Sequence, residues 1–237
     1  MSKKTISDLS VYGATHDHKY IKFFADNEFK IVDSPYKADI IAVFPGQLIN
    51  PNWYTDDYVD DLWSNKAFND RMDFSQYALF NRFPDTIKIG FEDRGCMLAA
   101  LTNYDRVWHS VSFHKNPHTM IYHDGSVVKV LSDHVTALRP SDWSDVQVIG
   151  WTHKSAMHTA PDTTISFPVE KEIDGMKNKT REDAEIEIFF YPKTKTLGFY
   201  PPLHKASSVL KTDNEPENNT RTMFFDVLEG ICADYLE

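Results

Sequence analysis

Residues 86–98 read TIKIGFEDRGCML, and the two halves of that stretch call for different structures. TIKIG (86–90) is a short apolar run suited to a buried strand. RGCMLAALTN (94–103) opens a helix on which Met97, Leu98 and Leu101 can form one apolar face. Between them, Gly90, Glu92, Asp93, Arg94, Gly95 and Cys96 crowd a strand-to-helix turn. A turn of that kind presents side chains at the carboxyl end of a sheet, where ligand chemistry collects. Cys96 is the obvious reactive group there, although its place on the turn counts for more than its type.

The same alternation runs through the first half of the chain. LSVYGAT (9–15) reads as a strand closed by a glycine turn, and HDHKYIKFFADNEF (16–29) carries Tyr20, Phe23 and Phe24 at helical spacing. FKIVDSP (29–35) is a short strand. ADIIAVFPG (38–46) is a continuous apolar run ended by Pro-Gly, as expected of a buried parallel strand. FNDRMDFSQYALFNRF (68–83) has helical spacing at Met72, Tyr77, Ala78 and Phe80. This β-α-β-α order predicts an α/β fold, a doubly wound and mostly parallel sheet flanked by helices.

After residue 105 strands dominate. TMIYHDGSVVKVLS (119–132) predicts an added β-hairpin turning at Asp124-Gly125. VQVIGWTH (146–153), TTISFPVE (163–170), EIEIFFYP (185–192) and TLGFYPP (196–202) read as further strands. The tail from Asn218 to Glu237 reads as an amphipathic helix capped at Asn219 or Thr220. No repeat or low-complexity linker divides the chain, so residues 1–237 are expected to form one domain.

Composition excludes several classes of function. Of 237 residues, 41% are hydrophobic and 14% aromatic, which is globular rather than disordered. A formal charge of −10, with no basic stripe, argues against nucleic acid as a partner. The N-terminus has two lysines but no apolar core, and no apolar run is long enough to span a bilayer, so neither export nor a membrane is expected. Two cysteines cannot form a disulfide framework, which suits a reducing cytoplasm.

Four segments in order, with a fifth near residue 200, resemble the class I glutamine amidotransferase family, and its γ-glutamyl hydrolase-like branch in particular. ADIIAVFPGQLINPNWY (38–54) is similar to the family's strand and Gly-Gly-x-Asp loop, and DRMDFSQYALFNRF (70–83) to its Arg-Asp-x-x-Glu helix. IGFEDRGCMLAALTN (89–103) resembles the nucleophile elbow, Gly-Ile-Cys-Arg-Gly-x-Gln-x-Leu. VLSDHVTALRP (130–140) resembles Ser-x-His-His-Gln, and KTKTLGFYPPLH (193–204) the strand ending in Gln-Tyr-His-Pro-Glu. The resemblance spans residues 9–205 and implies a flavodoxin-like α/β fold.

What the family does needs an elbow thiolate, a histidine within hydrogen-bond reach, a carboxylate to orient it and an oxyanion hole. Matched residue by residue, this chain departs from each part of the triad. Aligning Arg94-Gly95 with the family's Arg-Gly puts Asp93 at the nucleophile position; aligning Gly90 puts Glu92 there. Either way a carboxylate replaces the thiol. Pro201 stands for the catalytic histidine, Leu203 for its glutamate, and Phe199 for the glutamine before the tyrosine. Gly46 persists in the glycine loop but its neighbour is Gln47, while Ser132, His134, Arg94 and Gly95 are kept. The pocket and oxyanion positions implied by the resemblance are thus Gly46, Gln47, Glu92, Arg94 and Gly95.

Each candidate also has a plainer role. Cys96 in an apolar helix reads as core; the alternative is a relocated nucleophile working with His134 and His204. Glu92 or Asp93 reads as a helix-start acid favoured by the dipole, or else as a general base or carboxylate nucleophile in a changed chemistry. His109, His114, His118 and His123 suggest metal spacing, but Pro117 breaks helical pairing and no partner completes a set, so no metal and no cofactor is expected. The acidic runs YTDDYVDDLW (54–63) and KTREDAEIE (179–187) read as solvated faces. The expected function is a binding or scaffold module that has lost glutaminase activity, with a small amide or amino-acid-like ligand or a synthase or ligase partner. The alternative is a glutamine amidotransferase or γ-glutamyl amide hydrolase rewired around Cys96.

Overall fold

A computed structural model of the chain describes residues 5–14, 18–44, 80–110, 118–131, 135–142, 144–153, 184–203 and 216–236. Its main feature is a nine-stranded mixed sheet in the order β2-β1-β3-β4-β11-β10-β9-β6-β7. The parallel half consists of β2 (Lys30–Ile31), β1 (Ser10–Gly13), β3 (Ile40–Val43), β4 (Ile87–Phe91) and β11 (Thr196–Phe199). Antiparallel strands β10 (Ala184–Tyr191), β9 (Gln147–His153), β6 (His118–Tyr122) and β7 (Val127–Val130) extend it. The two apolar runs expected to be inner strands are neighbours, with Val43 opposite Gly90.

Alternation on these strands builds two cores. Ile40, Ala42 and Phe44 join Ile87, Ile89, Phe91 and Phe199 on one face, against helices α1 (His18–Asp26) and α3 (Pro216–Tyr235). Phe24, Phe91 and Phe224 pack edge to face or tilted there, with ring centroids 5.7 to 6.0 Å apart. Ile41 and Val43 face the other way, with Phe80 and the apolar residues of helix α2 (Glu92–Thr102). No described helix is long and apolar enough to cross a membrane.

Several sequence expectations need correction. The closing helix begins at Pro216, whose fixed φ suits a first helical position. Asn219 and Thr220 therefore lie inside the helix, not at its cap. Thr220 Oγ1 donates to the Pro216 carbonyl at 2.7 Å and accepts the amide of Leu131 at 2.9 Å, a long-range tie no local pattern reveals. The hairpin turns where expected, with Gly125 at φ 84°. A separate two-stranded ribbon of β5 (Arg106–Ser110) and β8 (Val135–Arg139) had no strand signature. The strand expected at 163–170 and the body of the helix expected at 68–79 lie outside the described residues.

Lys88 is the other departure from pattern: a lysine inside a central strand with no exposed surface. Its Nζ donates to the carbonyls of Phe83 at 2.7 Å and Thr86 at 3.0 Å. Burial, with Lys195 nearby, pulls its pKa from 10.5 down to about 8, against a smaller opposing pull from Asp85. Since the folded pKa lies below the unfolded one, the unfolded chain binds more protons between these two values, and stability rises with pH across that window. From about pH 7.5 to 9.5 the wild type should gain about 2 kcal/mol relative to Lys88→Met. Urea unfolding of both proteins at the two pH values measures this; parallel curves would contradict it.

Candidate functional site

Strands β3, β4 and β11 run parallel, so Phe44, Glu92 and Tyr200 follow their last residues along one carboxyl edge. Two glycines determine how α2 leaves β4. A Cβ on Gly90 would lie 2.9 Å from the Gly95 Cα, among still closer backbone atoms. A Cβ on Gly95 would lie 2.7 Å from the Gly90 Cα and 2.9 Å from the Val43 carbonyl oxygen. Backbone cannot yield as a flexible side chain can, so bare backbone meets bare backbone. The first turn of α2 therefore rests on β3 and β4.

Glu92 makes the turn. Its φ is 53°, in the left-handed region that L-residues seldom enter. The helix thus starts at Glu92, two residues before Arg94, where the sequence reading opened it. Glu92 stands where β4 gives way to α2, and Asp93 falls in the first turn of the helix. The Glu92 carboxylate is half-buried, and its Oε1 accepts a hydrogen bond from the Tyr20 hydroxyl at 2.6 Å. Tyr20 is fully buried, its ring stacked on Phe44 with centroids 4.8 Å apart and tilted against Phe91 at 5.0 Å.

Cys96 lies one turn into α2 with no exposed surface. Its Sγ points back at the strand and donates to the Gly90 carbonyl at 3.7 Å. A thiol there lacks the access that a reactive thiolate needs. Cys232, on α3, is also buried; burial, then Asp39 and Glu229, push its pKa up to about 12.

Positions 201 and 203, just past the end of β11, carry no acid–base group. Pro201 is buried, and Leu203 is fully buried in the core beneath α3. Gly46, Gln47, Ser132, His134 and His204 lie outside the described residues, and the side chain of Arg94 is not among those described. His123 is exposed against the ring of Tyr122. Among the described residues no group of three or more metal-ligating side chains is placed to hold an ion.

Two residues escaped the sequence reading. Tyr20 was read only as part of an apolar helix face. Glu187 fell at the end of an acidic run read as a solvated face, yet it has no exposed surface. Its Oε1 accepts from Thr152 Oγ1 at 2.6 Å, its carbonyl accepts the amide of Tyr200 at 3.0 Å, and it lies at an irregularity in the β9–β10 ladder. Strand alternation would leave Glu187 opposite the isoleucines, but the irregularity at 186–188 sends Ile186 and Ile188 to different cores, and no sequence period reveals that.

Compared by sequence, the chain matches no family model and no curated protein. Compared by structure, it is similar to SMU.1228c, at 10% identity over 94% of this chain and 99% of that one with a TM-score of 0.52. It is similar to PurLQS from Thermotoga maritima, at 12% identity over 94% and 98% with a TM-score of 0.51. A glutamine amidotransferase from Thermotoga maritima matches at 9% identity over 97% and 96%, with a TM-score of 0.48. The first two likenesses are of fold, over nearly the whole of each chain.

The glycine contact yields a paired test. Gly95→Ala should cost about 3 kcal/mol, the upper end for overpacking, since only backbone is there to give way. Gly230, in α3, has nothing within 4 Å of where a Cβ would be. Gly230→Ala should therefore stabilise by about 0.5–1 kcal/mol through helix propensity. Urea midpoints of the two variants moving in the same direction would contradict the seating of α2.

Proposed function

We propose that the chain is a class I glutamine amidotransferase-like module of one domain that does not hydrolyse glutamine and works by binding. Its occupant is a small amide or amino-acid-like ligand, or a synthase or ligase partner, held at the carboxyl edge of the parallel strands. The observation that carries this reading is the division of labour on the elbow. The apex residue is Glu92, a carboxylate, while the thiol of Cys96 is turned into the protein and bonded to the Gly90 carbonyl.

Pro201 and Leu203 support the same reading. Neither can accept or orient a proton, and both are buried. A carboxylate at the apex, close to the helix amides, also repels an incoming oxyanion, the charge that amide hydrolysis must stabilise. Two buried cysteines that form no disulfide suit a reducing compartment, which supports a cytoplasmic location.

Ammonia release from glutamine decides between this module and an enzyme rewired around Cys96, His134 and His204. Loss of a triad removes on the order of 10⁶ in rate, so wild type and Cys96→Ala should both sit at background. Release that disappears in Cys96→Ala would establish the rewired hydrolase. In the native protein, iodoacetamide should modify both cysteines at least about tenfold more slowly than in the unfolded chain, because burial withholds the thiolate. Rapid modification of Cys96 in the folded state would count against the module.

A further inference from the structure

Tyr20 and Glu92 are 72 positions apart and belong to helices on opposite faces of the sheet, yet they meet at 2.6 Å. The ring of Tyr20 is fixed by Phe44 and Phe91, and a phenylalanine would make the same stacking contacts. What the tyrosine adds is one hydroxyl, delivered to the half-buried carboxylate at the elbow apex. A distance of 2.6 Å is that of a charge-assisted O–H···O⁻ bond. The donor is immobilised in the core, so the flexible glutamate is fitted to the hydroxyl and not the reverse.

We propose that Tyr20 is a positioning residue of the elbow, a fixed donor that holds the anionic side chain at position 92 in one orientation at the carboxyl edge. The proposal rests on the reading of position 92 as the elbow apex. It assigns to α1 a part in the site beyond packing. An anion held this way receives charge stabilisation from two sources, the amides opening α2 and a phenol from the far face of the sheet.

Glu92→Cys tests the apex. A thiol at the apex of an intact elbow should react with iodoacetamide at least about tenfold faster than Cys96 does in the wild type. Slow labelling of Glu92→Cys would overturn the apex itself.

A melting-temperature cycle supplies the independent check in proteins that keep position 92 free of a thiol. Tyr20→Phe should lower the melting temperature by about 3 °C in the wild type and by less than about 1 °C in Glu92→Met, which offers no acceptor. Equal shifts in the two backgrounds would mean that the hydroxyl does not act through Glu92.

Discussion

The close approach of Gly90 and Gly95 is the constraint on which the rest of the site depends. With no side chain on either residue, the first turn of α2 rests directly on the backbones of β4 and β3. That seating leaves little choice for the residues between. The chain has to reverse from an extended strand into a helix within one residue, and Glu92 does so with a left-handed φ. The residue following Gly95 then faces the strand just left, which is why Cys96 meets the Gly90 carbonyl. Both the elevated carboxylate and the hidden thiol are consequences of one backbone contact.

Much of this was legible in the residues. The apolar runs at 40–43 and 87–91 read as buried strands, and they pair in parallel as such two-sided burial suits. Glycines flanking an acidic turn marked the elbow. The start of its helix was not legible, because glutamate does not advertise a positive φ as glycine or asparagine would. The cap expected at Asn219 or Thr220 is absent, since both lie inside α3 and Thr220 uses its hydroxyl on Leu131 and Pro216. Tyr20 looked like any aromatic on an apolar face. Its hydroxyl has meaning only once position 92 is brought to it in space.

Glu187 shows why charge runs mislead. Counted along the sequence it belongs to a polar stretch, yet an irregularity in the β9–β10 ladder buries it beside Thr152. Burying a carboxyl group is costly unless it is hydrogen-bonded, and Thr152 supplies such a bond here. Fold and site are linked here through the same strands. Its carbonyl receives the amide of Tyr200, the residue that follows β11 at the carboxyl edge.

The backbone of Glu92 separates this elbow from ordinary turns. Among the described residues, three other non-glycine residues have positive φ: Glu28, Tyr104 and Lys195. Glu28 and Tyr104 each follow the end of a helix, and Lys195 follows the 3-10 turn at 192–194. A left-handed residue is the common way to close a helix. Glu92 alone of the four opens one. A left-handed L-residue costs about 1–2 kcal/mol, and glycine at position 92 would have avoided it. The helix dipole returns about 0.3–1 kcal/mol to an acid in the first turn, and a hydrogen bond to a charged group about 1.5–3 kcal/mol. The dipole alone does not offset the strain; with the Tyr20 hydroxyl it does. The hydroxyl that meets the carboxylate thus contributes to sustaining a strained glutamate where α2 begins.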